Sequence, residues 1–273
     1  MASVSMTRNL RKLWAFLKRD FQSEISYRLA FVFQVAGMFL SVLAFYFMTK
    51  MMDPNAKGLE GIPPFQWLLI GLAFQYYFST ALYAFASKIR NEQVLGTLEA
   101  MLVSPTPTGM VIFSSAAWDF TYGALRVLIF LAFAVMVFGV RLHVEGLGAL
   151  ALGSVLTLLS SAGLGILSAS FILYFKRGDP INFFLSGLTT MFGNVFFPSA
   201  QLPSGVQWIS DLLPITWSLR VVRGALLRGQ TVADLHDELL RLLLLTALLL
   251  PAGIYFSRIA IRRAKREGSL VQY

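Results

Sequence analysis

Six stretches of this chain are apolar and long enough to be read as bilayer-crossing helices: about 29–50, 65–87, 110–140, 147–175, 181–198 and 239–261. A spanning helix needs roughly 20 apolar residues. Composition agrees with that reading. Of 273 residues, 56% are hydrophobic and only 14% charged, and the mean hydropathy is +0.66. A soluble domain of this length carries far more charge. The expected fold is therefore an all-α integral membrane protein with six transmembrane helices. The first run is too long for a signal-peptide core and lacks a small-residue cleavage site, so it is expected to stay attached.

The formal charge of +9 raises the question of nucleic acid, and its placement answers it. Arg8, Arg11, Lys12, Lys18, Arg19 and Arg28 precede the first span, while Arg258, Arg262, Arg263, Lys265 and Arg266 follow the last. Basic clusters abutting apolar spans reflect the resistance of Lys and Arg to translocation, so no nucleic-acid partner is expected. Lys88, Arg90, Lys176 and Arg177 place the loops 88–109 and 176–180 on the same, cytoplasmic side as both termini. The loops 51–64 and 141–146 then fall outside. With no cysteine and two separated histidines, His143 and His236, no metal site is expected.

Residues 1–28 read as an amphipathic helix in the membrane interface. Leu10, Leu13, Trp14, Leu17 and Phe21 recur at helical spacing against Arg11, Lys12, Lys18 and Arg19, a basic face for anionic headgroups among the membrane lipids. Residues 262–273 form a basic cytoplasmic tail. The fifth run, by contrast, is short for a crossing and leads into Pro198, Pro203 and Pro214, with Arg220, Arg223 and Arg228 before Gly229. Non-helical backbone at membrane depth is tolerated only inside protein or along a wet cavity. The segment at about 198–228 is thus expected to be a re-entrant helical hairpin near the outer leaflet.

Between the second and third runs lies Arg90-Asn91-Glu92-Gln93-Val94-Leu95-Gly96-Thr97-Leu98-Glu99-Ala100-Met101-Leu102-Val103-Ser104-Pro105. Glu92 and Glu99 lie on one side of a short helix over about 91–104, with Leu95, Leu98 and Leu102 as its apolar contact and Gly96 allowing close backbone approach. The pattern E-x-x-x-G-T-L-E with an S-P stop resembles the coupling helix of ABC-2 type transporter permeases. The Phe197-Pro198, Leu202-Pro203 and Pro214-Ile215-Thr216 steps are similar to that family's re-entrant segment, though Arg223-Gly224-Ala225-Leu226-Leu227-Arg228-Gly229 fits its ending more loosely. The resemblance spans nearly the whole chain, with 29–261 as the transmembrane domain. It implies that Glu92, Leu95, Gly96, Thr97, Leu98, Glu99 and Leu102 dock a separate ABC ATPase subunit, present in two copies. The permease itself would act as a homodimer or with a close paralogue. No G-x-x-x-x-G-K-[ST] phosphate loop occurs in the chain, so ATP and Mg belong on that partner and no catalytic site is expected here. The N-terminal helix is either a simple anchor or part of the docking surface.

Polar groups inside the spans are costly and usually partnered. Arg126 lies inside the third run, with Tyr122 and Asp119 one and two turns before it; structural pairing and substrate contact are both open. Gln75, Ser79 and Tyr83 form a polar stripe on the second run, and Asn182, Ser186, Thr189 and Asn194 another on the fifth. These stripes either hydrogen-bond across helices or line a translocation path with Asp119, Tyr122 and Arg126. In the fourth run Ala149, Gly153, Thr157, Ser161, Gly165 and Ala169 recur every four residues, the small-residue stripe that lets helices approach closely.

The expected function is a membrane permease of an ATP-driven exporter in the bacterial cytoplasmic (inner) membrane. Glycan-exporting members of the family enter the first span with an R-Y-x-x-[ST]-x-L-G-x-x-W-like run. This chain has Ile25-Ser26-Tyr27-Arg28-Leu29-Ala30-Phe31-Val32-Phe33-Gln34, which is more similar to the drug- and lipid-exporting branch. That favours a hydrophobic or amphipathic small molecule, or a lipid-like one, over a lipid-linked polysaccharide. A secondary transporter would show inverted repeats with interrupted helices, and none is visible. An intramembrane enzyme would need a nucleophile or metal that Asp119 and Arg126 do not supply.

Overall fold

A computed structural model of the protein describes residues 28–55, 57–59, 61–94, 108–175 and 180–266. These are helical, with no strand among the described residues. The helices run α1 (Arg28–Thr49), α2 (Pro64–Val94), α3 (Thr108–Phe138), α4 (Leu147–Phe175), α5 (Pro180–Phe192), a 3-10 turn (Ser199–Gln201), α6 (Gln207–Leu212), α7 (Pro214–Arg228) and α8 (His236–Arg266). Four contain stretches long and apolar enough to cross a membrane: Pro64–Ser87, Ala117–Phe138, Leu147–Phe175 and His236–Arg263. They coincide with the second, third, fourth and sixth expected spans. Shorter apolar stretches, Phe39–Thr49 and Ile181–Phe192, mark the first and fifth. The 13 residues of α5 reach only about 20 Å at ~1.5 Å per residue, against a hydrocarbon core of about 30 Å.

Helix α4 is the hub. It packs along α8 and also meets α2 and α7, and its small residues are the reason. A Cβ on Gly163 would stand 2.8 Å from the backbone of Leu249 and Leu250, and one on Gly253 would stand 2.6 Å from the Gly163 carbonyl oxygen. A Cβ on Gly165 would come within 2.6 Å of the Leu82 carbonyl oxygen, and one on Gly153 within 2.6 Å of the Val221 side chain. The stripe that recurs every four residues thus packs on α7 through Gly153 and on α2 through Gly165, while Gly163, off that stripe, makes the close approach to α8. Its hydroxyls are absorbed by the backbone or by one another: Thr157 donates to the Gly153 carbonyl at 2.6 Å, and its oxygen also contacts the Ser218 hydroxyl on α7.

The main apolar core joins Phe74, Tyr77 and Phe78 of α2, Phe130 and Leu131 of α3, and Ile215, Leu219 and Val222 of α7. An aromatic cluster ties α1, α2 and α3 together: Tyr46 lies 5.1 Å from both Phe65 and Phe138, and those two rings are 4.7 Å apart. The outward faces stay apolar. Leu128 and Met136 on α3, Phe183 and Phe184 on α5, and Leu240, Leu244 and Leu248 on α8 are all more than half exposed. Surface of that kind belongs against lipid or another apolar partner. The molecule is an integral membrane protein in architecture.

The loops 50–63 and 139–146, the 3-10 turn and the α7–α8 connection gather at one end of the bundle. Gln201 donates to the Lys57 carbonyl at 3.1 Å, and the His143 amide donates to the Leu226 carbonyl at 2.8 Å. Helix α7 runs into this region from deeper in the bundle: Ser218 meets Thr157, Val221 meets Gly153 and Ala225 meets Gly146, each nearer the start of α4 than the last. The N-terminal helix expected over 1–28 and the final residues 267–273 lie outside the described residues.

Candidate functional site

The segment expected to dock an ATPase lies mostly outside the described residues. Leu95, Gly96, Thr97, Leu98, Glu99 and Leu102 lie outside the described residues, and Glu92 is placed only as backbone in the last turn of α2. The expected path residues resolve into two groups, and the structure does not merge them.

One group forms a seam between α2 and α5. The Gln75 amide nitrogen reaches the hydroxyls of Thr190 at 3.4 Å and of Thr189 and Ser79 at 3.5 Å. Tyr83 donates to the Asn182 carbonyl at 3.2 Å. Gln75 Oε1 is buried with no hydrogen-bond partner. Thr189 of the fifth-span stripe and its neighbour Thr190 therefore face Gln75, and Tyr83 meets the Asn182 backbone, while Asn194 turns away to the Ser199 amide. The seam is polar at membrane depth, with unused acceptor capacity at Gln75.

The other group lies on α3. The Arg126 guanidinium stands 4.5 Å from the centre of the Tyr122 ring, with Nη2 3.4 Å from the Tyr122 hydroxyl. Trp118 stacks on Tyr122 with ring centres 6.0 Å apart. Arginine side chains on a helix lean toward its N-terminus, and the ladder Trp118–Tyr122–Arg126 follows from that lean at a spacing of four. Asp119 is half-buried on the same helix.

Sequence reasoning does not single out Arg223, a deeply buried cation of α7. Its side chain is 2% exposed, and its guanidinium lies 3.6 Å from the Trp67 ring centre. Nη1 donates to the Asn194 carbonyl at 2.7 Å. Nη2 donates to the carbonyls of Trp67 at 3.0 Å and Val195 at 3.2 Å, and Nε reaches Trp67 at 3.3 Å. The receptacle is built by a helix break. Asn194 has φ 62°, a left-handed conformation that asparagine tolerates, and its side chain accepts from the Ser199 amide at 3.0 Å. That bend ends α5 and turns the carbonyls of 194 and 195 toward α7. Gly71 makes the remaining space, since a Cβ there would stand 2.8 Å from Arg223 Nη2. The only signal in sequence is an arginine set within Leu219, Val221, Val222, Ala225 and Leu226.

Arg223 also lines a pocket of about 300 Å³, together with Trp67, Ser199, Arg220, Arg228, Gln230, Asp234 and Glu238. Arg220 donates to the Ser199 hydroxyl at 3.1 Å and lies 3.7 Å from an Asp211 carboxylate oxygen. Thr231 donates to Asp234 through its amide and its hydroxyl, both at 2.8 Å, which holds the Asp234 carboxyl below its ordinary pKa. No group of three or more metal-ligating side chains occurs among the described residues.

The family comparison agrees with this geometry. A model of the ABC-2 type transporter family matches residues 11–227, from ahead of α1 to the end of α7. No curated protein matches the chain. With most of its length covered by that model and its helices arranged as a membrane bundle, the chain belongs to the ABC-2 type transporter family, whose members are the membrane components of ABC transporters.

Proposed function

We propose that this protein is the permease subunit of an ATP-driven exporter, moving a hydrophobic or amphipathic small molecule, or a lipid-like one, out of the cytoplasm or inner leaflet. The family match over 11–227 carries the reading, because ABC-2 permeases generally work with an ABC ATPase. Two copies of that ATPase, bearing ATP and Mg, would engage a permease homodimer or a pair of paralogues through the segment 91–104. Both termini would face the bacterial cytoplasm. The run Ile25–Gln34 and the abundance of phenylalanine support the cargo class, and the lipid-linked polysaccharide is the second reading.

The Gln75 seam and the Tyr122–Arg126 ladder are the proposed cargo contacts. They supply a hydrogen-bonding edge and an aromatic-backed cation in otherwise apolar helices, which suits a molecule with a small polar head and a large apolar body. Affinity purification of the tagged permease from native membranes tests the central claim. An ABC ATPase is expected to accompany it, with ATP hydrolysis stimulated by cargo. A permease that purifies alone and transports under a proton or sodium gradient without ATP would overturn the reading.

A further inference from the structure

The pocket at the loop-rich end of the bundle gathers charges of both signs. Arg220, Arg223 and Arg228 lie three and five residues apart on α7, and all line it. For Arg223, the partners among the described residues are carbonyl oxygens and a tryptophan ring. Carbonyl oxygens take four of its five N–H groups, one on Nη1 is left over, and no carboxylate is among these partners. A buried cation in that condition is costly and favours an anion within reach. Trp67, also in the lining, is 5% exposed, and its indole N–H has no hydrogen-bond partner among the described residues. Buried polar groups are nearly always hydrogen-bonded, so this donor is unused capacity at the same place.

The lining also carries the other sign. Asp234 and Glu238 come from the turn before α8 and its first turn. An anion alone would meet those carboxylates unfavourably, and a cation alone would meet the arginines. At about 300 Å³ the pocket stands at the small end of ligand sites, which run from roughly 300 to 1,000 Å³. Guanidinium forks match the oxygens of a phosphate, and carboxylates accept from an ammonium. The exposed Trp208 of the neighbouring α6 is of the type that gathers at the level of lipid headgroups.

We propose that this pocket binds a phosphate joined to a primary ammonium, the chemistry of a phosphoethanolamine group, with the phosphate on the α7 arginines and Trp67 and the ammonium on Asp234 and Glu238. The same chemistry has two sources, the headgroup of phosphatidylethanolamine and a water-soluble phosphoamine. The assignment requires only a membrane bundle and stands independently of the direction or cargo of transport.

Native mass spectrometry of the full permease in an uncharged detergent tests it. The protein is equilibrated with phosphatidylethanolamine, phosphatidylglycerol or phosphatidylcholine of identical acyl chains. Phosphatidylglycerol lacks the ammonium, and the choline lipid lacks its N–H donors. Retention of the ethanolamine lipid is expected to exceed both by about tenfold, the equivalent of one charge-assisted hydrogen bond. Glu238→Gln is expected to abolish that preference, and Arg220→Gln to lower retention of all three lipids, with Arg220→Lys in between. Both side chains are partly exposed, and unchanged thermal melting would show that the variants fold. Release of the bound lipid by millimolar free phosphoethanolamine would identify the headgroup alone as sufficient. Resistance to that competitor with preference intact would identify the whole lipid. Equal retention of the three lipids, or a preference untouched by Glu238→Gln and Arg220→Gln, would overturn the proposal.

Discussion

Two arginines within the bundle have opposite relations to their surroundings, and their substitutions should separate. Arg223 is wrapped by carbonyl oxygens of 67, 194 and 195; Trp67 keeps its place in the α2 ladder, so loss of Arg223 strips its donor from the carbonyls of 194 and 195, at about 1–3 kcal/mol each. Lysine keeps the charge but cannot reach three diverging carbonyls from one ammonium. Arg223→Lys and Arg223→Gln are both expected to lower the yield and melting temperature of folded permease, read by fluorescence-detected size exclusion. A lysine variant as stable as the parent would show that charge alone matters there. Arg126 is half-buried and leans on one ring of its own helix. For it, Arg126→Lys and Arg126→Gln are expected to reduce export per folded complex while sparing abundance. Normal export in both would mean that the guanidinium only snorkels along Tyr122.

At the scale of helices, close approach is set by glycine, and two of them make a controlled pair. Gly163→Ala pushes a Cβ to 2.8 Å from the backbone of α8, whereas Gly187 has nothing within 4 Å of such an atom. Gly163→Ala should destabilise the α4–α8 contact, and Gly187→Ala should gain about 0.5–1 kcal/mol from helix propensity; thermal melts of both variants check the sign of each. A second prediction concerns the segment after α2. Glu92→Ala with Glu99→Ala is expected to weaken ATPase co-purification or uncouple hydrolysis from export, with membrane insertion unchanged. Unaltered transport and binding in the double variant would refute that segment's role. The α4 stripe was legible in sequence because one spacing, repeated along one helix, determines it. The Gln75 stripe was legible only as polarity; its pairing with Thr189 and Thr190 depends on how α5 is set against α2. Arg223 was not legible as a site, because its receptacle comes from residues 67, 71, 194 and 195, far apart along the chain. The end of α5 at Phe192 arises at Gly193 and Asn194, where the apolar run itself continues to Phe197.

For the whole molecule, the decisive question is how often the chain crosses the bilayer between α5 and α8. Helix α7 has 15 residues, about 22 Å at ~1.5 Å each, and its buried face carries Arg223 beside the start of α2 and the end of α5. Its first residues follow α6, and its last carbonyls meet the loop at 143. At that length α7 falls short of a hydrocarbon core of about 30 Å, and we expect the segment to return from the bundle rather than cross it. Ser204 before α6 and Val232 after α7 are both exposed, and the chain has no cysteine of its own. Single cysteines at these positions, in separate variants, are therefore expected to react with a membrane-impermeant maleimide added from outside intact cells. A crossing by α7 would instead place position 232 in the cytoplasm, where labelling needs permeabilised cells. External labelling of Ser204→Cys with internal labelling of Val232→Cys would replace the six-span, re-entrant arrangement by one with an additional span.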